Sequence, residues 1–403
     1  MMTKRVVITG LGVISSIGIG KDAFWANLLK GVSGISPITA FDTTNHFTHN
    51  GGEVKNFEPQ QYISADKLTT MNRATQMAVA SAKLAVSDAA LTDEMLSLPS
   101  TGVSHGTTLG AAQAIEEVDA RRTRNQEIPP DLFYQMPPHA APSEIAREFG
   151  CGGPHVMIST ACAAGNYAVA YAFDLIRLKR ADIMIAGASD GISRIEYTGF
   201  NQFSAVAPER CQPFDKNRKG MMLAEGAGML VLESLENALR RNATIYSEVI
   251  GYGLSCDAHH MTNASIEGIT TCIRKALEEA SITADDVDYI SAHGTGTKAN
   301  DRAECAAIKE VFGARYKSIP VSSIKSMLGH TMGAASALEG IVCALATKNN
   351  EIPPTINFET VDPECEIDCV PNKTRQHRVN IALNNSYAFG GNNASVVFKK
   401  FIH

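Results

Sequence analysis

A single cysteine, Cys162, stands where a nucleophile would be expected. The surrounding segment HVMISTACAAGNYAVAYAFDLIRLKR (155–180) predicts a short apolar strand, a turn of small residues that holds the cysteine, and an amphipathic helix. The first N–H groups of a helix lack intrahelical partners and carry the positive end of the helix dipole, which favours a thiolate. A lone cysteine is nevertheless more often a buried core residue, so its interpretation depends on the residues that accompany it.

Two histidines supply that context. His293 ends the predicted strand of DVDYISAHGTGT, directly before a glycine turn, and His330 precedes a predicted helix of small residues in SSIKSMLGHTMGAAS. Either histidine alone would more often be a hydrogen-bonded structural residue. A cysteine and two histidines on separate glycine-flanked turns form a much rarer set, which favours a catalytic site.

These three side chains could form a carbon–carbon bond between two thioesters. Cys162 would carry an acyl group as a thioester, and two neutral imidazoles would bind the carbonyl of a malonyl thioester. Loss of carbon dioxide would leave an enolate that attacks the acyl group, and the backbone N–H groups of Cys162 and Phe389 would bind the resulting oxyanion. Lys325 would keep His330 neutral, since a nearby positive charge disfavours imidazolium.

The composition is typical of a globular α/β protein and disfavours several other classes. The chain has 403 residues, of which 44% are hydrophobic and 19% charged, and its net charge of −6 disfavours nucleic acid as a partner. The sequence shows neither an apolar run of membrane-spanning length nor a signal peptide. Its nine cysteines are scattered without zinc-ligand spacing, so we expect no disulfide framework, no metal site and a cytoplasmic location.

Strands and helices alternate along the chain, which predicts α/β layers. The segment from Asp66 to Leu91 is predicted as one long helix, and VNIALNNSYAFGGNNASVVFKKF (379–401) as two strands joined by a glycine turn. Each half of the sequence contains a buried strand, a turn with a chemically active residue and a helix of small residues. This weak internal similarity indicates structural duplication rather than a solenoid.

On these motifs, the chain resembles the elongating β-ketoacyl-acyl-carrier-protein synthases, which are condensing enzymes of the thiolase superfamily. The resemblance extends from VVITGLGVISSIG near the start to NNASVVFKKF near the end. It implies an α/β, thiolase-like fold with five αβαβα layers built from two duplicated halves. Residues 1–253 would form the half with the nucleophilic cysteine, and residues 254–403 the half with both histidines.

The resemblance also assigns roles to individual residues. Cys162 matches the nucleophile, and His293 and His330 match the two catalytic histidines. Lys325 and Glu339 match supporting positions. Phe389 matches a gate beside the nucleophile, and Thr295 and Thr297 match residues that contact the extender unit or its pantetheine arm. The acyl-pocket positions are Leu109, Tyr197 and Phe200, and the structural positions are Asp215, Arg218 and Glu225.

The implied activity is a decarboxylative Claisen condensation of malonyl-acyl-carrier-protein with an acyl group on Cys162, in fatty-acid elongation. The alternative is the catalytic ketosynthase of a type II polyketide or polyene pathway, working with a cysteine-less chain-length-factor homologue. The implied partner is an acyl carrier protein with phosphopantetheine-linked acyl and malonyl groups, in a homodimer or in that heterodimer. No cofactor is implied. A non-catalytic subunit is disfavoured because Cys162, His293 and His330 are all present.

Three features depart from the usual pattern of the family. Ala388 replaces the first glycine of the Gly-Phe-Gly-Gly gate, which predicts restricted gate motion because alanine disfavours positive φ. The segment SADKLTTMNRATQ, expected to face an acidic carrier protein, keeps only Lys67 and Arg73 as cations, and Ser204 stands where arginine is common. The spelling HGTGT is frequent in polyketide synthases. Together these features favour a specialised pathway slightly.

Overall fold

The computed structural model describes residues 4–402. One large mixed sheet forms its centre, and the ten main strands are numbered in chain order. They are β1 (Val6–Ser15), β2 (Thr101–Gly106), β3 (His155–Ile158), β4 (Ile183–Asp190), β5 (Gly226–Ser234), β6 (Ser247–Cys256), β7 (Tyr289–Ser291), β8 (Val321–Ser322), β9 (Ile381–Tyr387) and β10 (Asn392–Lys399). Short pairings add Gly18–Ile19 to β1 and form two small sheets, Ser36–Pro37 with Asn50–Gly51 and Glu351–Ile352 with Arg375–Gln376.

The strand order shows that the two halves of the sheet have the same topology. The order is β3-β2-β4-β5-β1 followed by β6-β10-β9-β7-β8. In the first half β2 is parallel to β3 and β4, and β5 is antiparallel to β4 and β1. In the second half β7 is parallel to β8 and β9, and β10 is antiparallel to β9 and β6. The predicted duplication is confirmed, with the second half in mirrored order along the sheet.

Helices cover both faces of each half. The longer ones are α1 (Lys21–Lys30), α2 (Arg73–Asp88), α3 (Ala112–Thr123), α4 (Ala140–Phe149), α5 (Ala164–Arg177), α6 (Arg194–Gln202), α7 (Ile266–Glu279), α8 (Lys298–Phe312) and α9 (Gly333–Asn349). Helices α2 and α4 cover the first half, α7 and α8 cover the second, and α5 packs against α9 between them. This arrangement gives the five predicted αβαβα layers. Shorter helices are Ala65–Leu68, Asp93–Leu96, Asp131–Gln135, Leu235–Arg240 and Lys325–Leu328.

The middle layer explains the small residues of α5 and α9. Residues 333–347 of α9 are all buried, as expected for a mostly apolar helix in the middle layer. A Cβ added at Gly165 of α5 would lie 2.5 Å from the backbone nitrogen of Ala337. Small residues therefore allow the two helices to approach closely, and this brings their N-terminal ends together.

The two halves meet along a short stretch of β1 and β6. Val6–Ile8 pairs antiparallel with Ser247–Val249, and β6 also pairs with β10 along most of its length. The predicted boundary between residues 253 and 254 falls inside β6. The division into 1–253 and 254–403 stays a prediction.

The single long helix predicted from Asp66 to Leu91 is wrong. The structure has a short helix at Ala65–Leu68, and α2 begins only at Arg73. Asn72 starts α2 as its N-cap, because its side-chain oxygen accepts a hydrogen bond from the N–H of Thr75 at 2.9 Å. An asparagine that can satisfy an unpaired N–H group favours a helix start over helix continuation.

Two further findings concern the state of the cysteines and the length of the apolar helices. All nine cysteines are free thiols. Between residues 4 and 402, no helix is both long enough and apolar enough to cross a membrane.

Candidate active site

Cys162 lies in a tight turn between β3 and α5. The turn is a 3₁₀ helix, Ala161–Ala163, in which Ala161 has a φ of 48°, a left-handed value that is uncommon outside glycine. The carbonyl oxygen of Cys162 accepts hydrogen bonds from Ser386 Oγ at 2.9 Å and from Ser336 Oγ at 3.1 Å. Two hydroxyl groups of the second half therefore hold the cysteine turn of the first half in place.

Both predicted histidines meet this cysteine. His330 lies between the short helix Lys325–Leu328 and α9, and His293 follows the end of β7. The distance from His330 Nε2 to Cys162 Sγ is 3.1 Å, and the two imidazole rings lie 5.4 Å apart at an interplanar angle of 83°. The potential ligand atoms of the three residues all lie within 4.8 Å of one another. The structure thus brings together the set that the sequence singled out.

The two imidazoles are held in their neutral form. Burial lowers the pKa of His293 well below its ordinary value, and the positive charge of Lys325 lowers it further. Burial and the charge of Lys325 likewise hold the pKa of His330 well below its ordinary value. A neutral imidazole offers one N–H donor and one nitrogen acceptor, so each ring can either bind a carbonyl oxygen or accept a proton.

The thiol of Cys162 differs from the stabilised thiolate predicted from its position before a helix. Burial raises the pKa of Cys162 to about 12, although the positive charge of Lys325 opposes the rise. The resting group is therefore a thiol. Because the neutral His330 has Nε2 at 3.1 Å from Sγ, it can accept the proton as the sulfur attacks.

Lys325 and Glu339 form a buried ion pair behind the histidines. The sequence places Lys325 beside His330, whereas in the structure Lys325 Nζ lies 3.5 Å from Nδ1 of His293. Its charge nevertheless lowers the pKa of both histidines. Burial raises the pKa of Glu339, and the charge of Lys325 opposes that rise.

Two residues of the site were missed by the sequence analysis. Glu304 of α8 accepts hydrogen bonds from the backbone N–H groups of His293 and Gly294, both at 2.8 Å, and burial raises its pKa to about 8. Ser386 of β9 has its Oγ 3.5 Å from Nδ1 of His293. Glu304 lies three residues after Asp301 on α8, and both side chains are buried. Two acidic residues at this helical spacing are the signal that could have identified Glu304.

A cavity of about 350 Å³ opens beside these reactive groups. Its walls include Thr295 and Thr297, whose hydroxyl oxygens lie 2.9 Å apart. Phe200 and Phe389 also line it, with ring centroids 5.6 Å apart. The cavity therefore combines polar groups near the histidines with an aromatic wall.

The gate turn has a different geometry from the one expected. Ala388 has φ −107° and ψ 153°, an extended conformation that any residue adopts. The left-handed positions are Gly390 at φ 83° and Gly391 at φ 81°. Phe389 is half-buried between them and Ala388. Alanine at position 388 therefore causes no backbone strain in this structure, and the restricted gate motion stays a prediction.

Two of the proposed acyl-pocket residues lie outside this cavity. Leu109 is 43% exposed, and its backbone N–H donates to Asp190 Oδ1 at 3.1 Å. Tyr197 is buried and donates its hydroxyl group to the carbonyl oxygen of Asn50 at 2.9 Å. The assignment of both residues to an acyl pocket stays a prediction.

The expected carrier-facing cations are engaged within the chain. Lys67 Nζ lies 2.6 Å from Glu148, and Arg73 Nη2 lies 2.6 Å from the buried carboxylate of Glu225. Arg73 therefore stabilises the fold. Ser204, by contrast, lies on the wall of the catalytic cavity.

The residues taken as structural form buried contacts. Arg218 bonds Asp362 at 2.5 Å and lies 3.4 Å from Asp301. Asp215 accepts hydrogen bonds from the backbone N–H groups of Glu359 and Thr360 at 2.6 and 2.7 Å. These contacts join the segment of Asp215 and Arg218, within residues 1–253, to the loop 357–364 in the second half.

The three reactive side chains are also potential metal ligands. Cys162, His293 and His330 are ligand types that zinc accepts, and their spacing would allow an ion to bind. The expectation that this site works without a metal or a cofactor stays a prediction.

Comparison with known protein families shows to which family the chain belongs. The family described as "Beta-ketoacyl synthase, N-terminal domain" matches residues 3–238, and "Beta-ketoacyl synthase, C-terminal domain" matches residues 246–359. The chain belongs to the β-ketoacyl synthase family. It is therefore a 3-oxoacyl-[acyl-carrier-protein] synthase of the elongating type, an acyltransferase that forms carbon–carbon bonds.

Curated relatives of this ketoacyl synthase cover its whole length. It is 39% identical to nodulation protein E of Rhizobium sp. (strain N33) over 99% of this chain and 100% of the relative. It is 38% identical to 3-oxoacyl-[acyl-carrier-protein] synthase 2 of Synechocystis sp. (strain ATCC 27184 / PCC 6803 / Kazusa), over 99% of this chain and 98% of the relative.

Solved structures place the ketoacyl synthase beside polyketide enzymes as well. The ishigamide ketosynthase/chain length factor superposes with a TM-score of 0.96 at 44% identity, over 99% of this chain and 100% of that one. A type II polyketide ketosynthase, bound to the hexaketide and in complex with its acyl-carrier protein, superposes with a TM-score of 0.91 at 34% identity over the same shares. The predicted thiolase-like fold is confirmed by these neighbours.

Proposed function

We propose that Cys162, His293 and His330 carry out a decarboxylative Claisen condensation of malonyl-acyl-carrier-protein with an acyl group held on Cys162, in fatty-acid elongation. The observation that supports this most strongly is the meeting of one thiol and two neutral imidazoles within 4.8 Å at the end of one cavity. Covalent acyl transfer needs the thiol, and enolate stabilisation needs two uncharged hydrogen-bond donors.

The first half-reaction loads the acyl chain. Cys162 Sγ attacks the carbonyl carbon of the acyl thioester while His330 Nε2, 3.1 Å away, takes the thiol proton. The backbone N–H groups of Cys162 and Phe389 bind the oxyanion of the tetrahedral intermediate. The carbon–sulfur bond to the pantetheine arm then breaks, and its thiolate takes the proton back from His330.

The second half-reaction forms the new bond. The N–H groups of His293 and His330 bind the thioester carbonyl of the malonyl group, and Thr295 and Thr297 hold the pantetheine arm along the cavity wall. The malonyl carboxylate leaves as carbon dioxide, and its bonding electrons form an enolate held by both imidazoles. The enolate carbon attacks the acyl carbonyl, the carbon–sulfur bond to Cys162 breaks, and the departing sulfur takes up one proton from the solvent, which restores the thiol.

Lys325, Glu339 and Glu304 act as positioning residues. Burial keeps the imidazoles neutral and the charge of Lys325 adds to this effect, while Glu339 fixes Lys325 by their ion pair. Glu304 holds the turn that carries His293 through two backbone hydrogen bonds at 2.8 Å. Each acts through another group and is not expected to touch the substrate.

The proposed partner is an acyl carrier protein that delivers both groups on a phosphopantetheine arm. Lys298 supports this, because it is exposed and lies on the rim of the catalytic cavity, where a negatively charged phosphate or carrier surface would arrive. The site acts within a homodimer or a heterodimer. The cytoplasm remains the predicted compartment.

The second candidate function is that of a ketosynthase in a type II polyketide or polyene pathway, paired with a cysteine-less chain-length-factor homologue. One specific observation favours it: the ishigamide ketosynthase/chain length factor is 44% identical, whereas the 3-oxoacyl-[acyl-carrier-protein] synthase 2 of Synechocystis is 38% identical. The mass of the acyl group trapped on Cys162 in cells separates the two. A saturated long chain supports fatty-acid elongation, and a conjugated chain supports the polyene pathway.

Reconstitution with acyl- and malonyl-carrier protein tests the activity itself. Wild-type protein is expected to yield β-ketoacyl product, and Cys162→Ala to yield none while keeping the wild-type melting temperature, since one small side chain replaces another. Cys162→Gln is expected to retain malonyl decarboxylation because its uncharged amide imitates the acyl-cysteine. Elongation by Cys162→Ala at the wild-type rate would show that the nucleophile is assigned wrongly.

A further inference from the structure

Helix α6 carries a buried carboxyl group that the proposed mechanism does not use. Glu196 is 5% exposed, and its Oε1 has no hydrogen-bond partner in the part of the chain that the structure describes. A buried polar atom without a partner lowers stability, so most proteins avoid one or use it for binding. Glu196 is therefore a candidate for contact with a bound molecule.

Glu196 lies one helical turn before a residue of α6 that lines the catalytic cavity. Phe200 of the same helix and Phe203, which directly follows the helix, line that cavity. Residues four positions apart lie on one helix face, so Glu196 lies one turn from Phe200 on this face. Exposure falls from Phe203 at 64%, through the half-buried Phe200, to Glu196 at 5%. The face therefore leads from solvent into the interior.

Glu196 is also close to the nucleophile. The two side chains are near enough to interact electrostatically, and Tyr197, the residue after Glu196, belongs to the same apolar cluster as Cys162. An acyl chain attached to Sγ and leading inward past Phe200 would meet this carboxyl group.

The surroundings keep this group neutral. Burial raises the pKa of Glu196 well above its ordinary value, and the carboxylates of Asp190, Glu116 and Glu225 raise it further. A neutral carboxyl group has one O–H donor and one carbonyl acceptor. It can therefore bond either a hydroxyl or a keto oxygen without placing a charge in the interior.

Two hydroxyl groups beside Cys162 share the same unsatisfied state. Thr108 Oγ1 and Thr160 Oγ1 are buried, and neither has a hydrogen-bond partner within residues 4–402. Thr160 directly precedes the cysteine turn. Thr108 adjoins it, since its carbonyl oxygen lies 3.5 Å from Ser159 Oγ and its N–H donates to Asp190 at 2.9 Å. The wall near Cys162 thus has more hydrogen-bonding capacity than a hydrocarbon chain can use.

We propose that Glu196 is a specificity-determining residue whose carboxyl group hydrogen-bonds an oxygen substituent, a hydroxyl or a keto group, on the acyl chain carried by Cys162. The inference rests on the proposed acylation of Cys162. A purely hydrocarbon chain would leave the carboxyl group unpaired, whereas an oxygenated chain would satisfy it. The enzyme therefore discriminates between chains of equal length by their polarity.

Competition between matched primers tests this. The primers are octanoyl-carrier protein and a series of hydroxyoctanoyl-carrier proteins with the hydroxyl group on successive carbons, each condensed with malonyl-carrier protein. Wild type is expected to prefer at least one hydroxylated primer in kcat/KM. Glu196→Leu is expected to reduce that preference about tenfold to a hundredfold, and Glu196→Gln to retain most of it. Glu117→Leu, which removes an exposed carboxylate from α3, serves as the control and should match wild type.

The outcomes separate the two proposals. If Glu196→Leu condenses every primer in the wild-type ratio, this inference is overturned and the condensing activity stands. If wild type yields no β-ketoacyl product from any primer, the proposed function fails and the inference with it. If Glu196→Leu melts far below wild type, the primer competition is repeated with Glu196→Met, which has an unbranched side chain of similar length. Unchanged ratios in that folded variant would equally overturn the inference.

Discussion

At the scale of single residues, the reactivity of Cys162 depends on its neighbours more than on its place before a helix. The thiol is 6% exposed, and burial raises its pKa to about 12. The neutral His330, 3.1 Å from the sulfur, provides a base only when the substrate carbonyl is present to receive the nucleophile. Such a site resists oxidation and adventitious alkylation while it waits for an acyl chain, because both reactions need thiolate.

Alkylation by iodoacetamide measures this directly. Since the pKa of Cys162 is raised, the thiolate fraction and the alkylation rate at this residue are expected to rise about tenfold per pH unit from about pH 7 to about pH 9. Peptide mass spectrometry follows Cys162 separately from the exposed Cys256, which serves as the internal reference. A plateau in the Cys162 rate already below pH 8 would show a stored thiolate instead.

The two histidines are expected to differ in one half-reaction. His293→Ala and His330→Ala should each reduce malonyl decarboxylation by about 10²–10³, because each removes one donor to the enolate oxygen. Acyl transfer to Cys162 should persist in His293→Ala and be slower in His330→Ala, whose ring is the one next to Sγ. Acyl loading followed by intact-protein mass spectrometry distinguishes the steps. Complete loss of loading in both variants would contradict the assigned roles.

The residue types of the catalytic set were predictable, but their partners were not. Cys162 and the two histidines lie in local motifs with glycine turns, which a sequence displays directly. Ser386 acts on the carbonyl oxygen of Cys162 across 224 residues of chain, and no local pattern encodes that contact. The role of Arg73 was likewise hidden, because its ion pair with Glu225 joins two distant segments.

At the scale of elements, the turn after β9 is the part most suited to movement. Phe389 is half-buried and contacts Phe200 across the cavity, at 5.6 Å between ring centroids. The backbone N–H of Gly390 donates to the carbonyl oxygen of Met261 at 2.8 Å, and the side chain of Met261 is 69% exposed. A backbone movement of this turn would therefore also displace the loop that contains Met261.

Substitution in this turn tests the gate. Phe389→Ala is expected to increase decarboxylation without condensation, with little change in melting temperature. Gly390→Ala should destabilise the turn by about 1 kcal/mol, because φ is 83° there. Ala388→Gly, at an extended position, should leave acyl loading unchanged. If Phe389→Ala instead loses about 3–5 kcal/mol of folding stability and its ratio of decarboxylation to condensation stays at the wild-type value, Phe389 is a core residue.

Long periodic elements were easier to predict than short ones. The strands β9 and β10 and their glycine turn were predicted correctly, because alternation and two adjacent glycines mark them. The break between Ala65–Leu68 and α2 was missed, since it depends on the single cap at Asn72. The conformation of Ala388 was also missed, because the family pattern implied a glycine-like φ that this chain does not use.

At the scale of the whole molecule, the sheet leaves one edge at β3. That strand pairs with β2 on one side, and its first residue, His155, is exposed. Pairing of this edge with a second subunit would continue the sheet and cover its backbone groups. We expect sedimentation to give a species of about twice 43.1 kDa, alone or with a homologous partner. A stable, catalytically active monomer would contradict this expectation.

The pairing of β1 also has a consequence for synthesis of the chain. All ten residues of β1 are buried, yet its main neighbours are β5 and β6, which lie more than 200 residues later. At about 5–20 residues per second, the ribosome needs roughly 10–40 s to reach them. During that interval a mostly apolar strand emerges without its neighbouring strands, so we expect β1 to be a segment that a chaperone binds on the nascent chain.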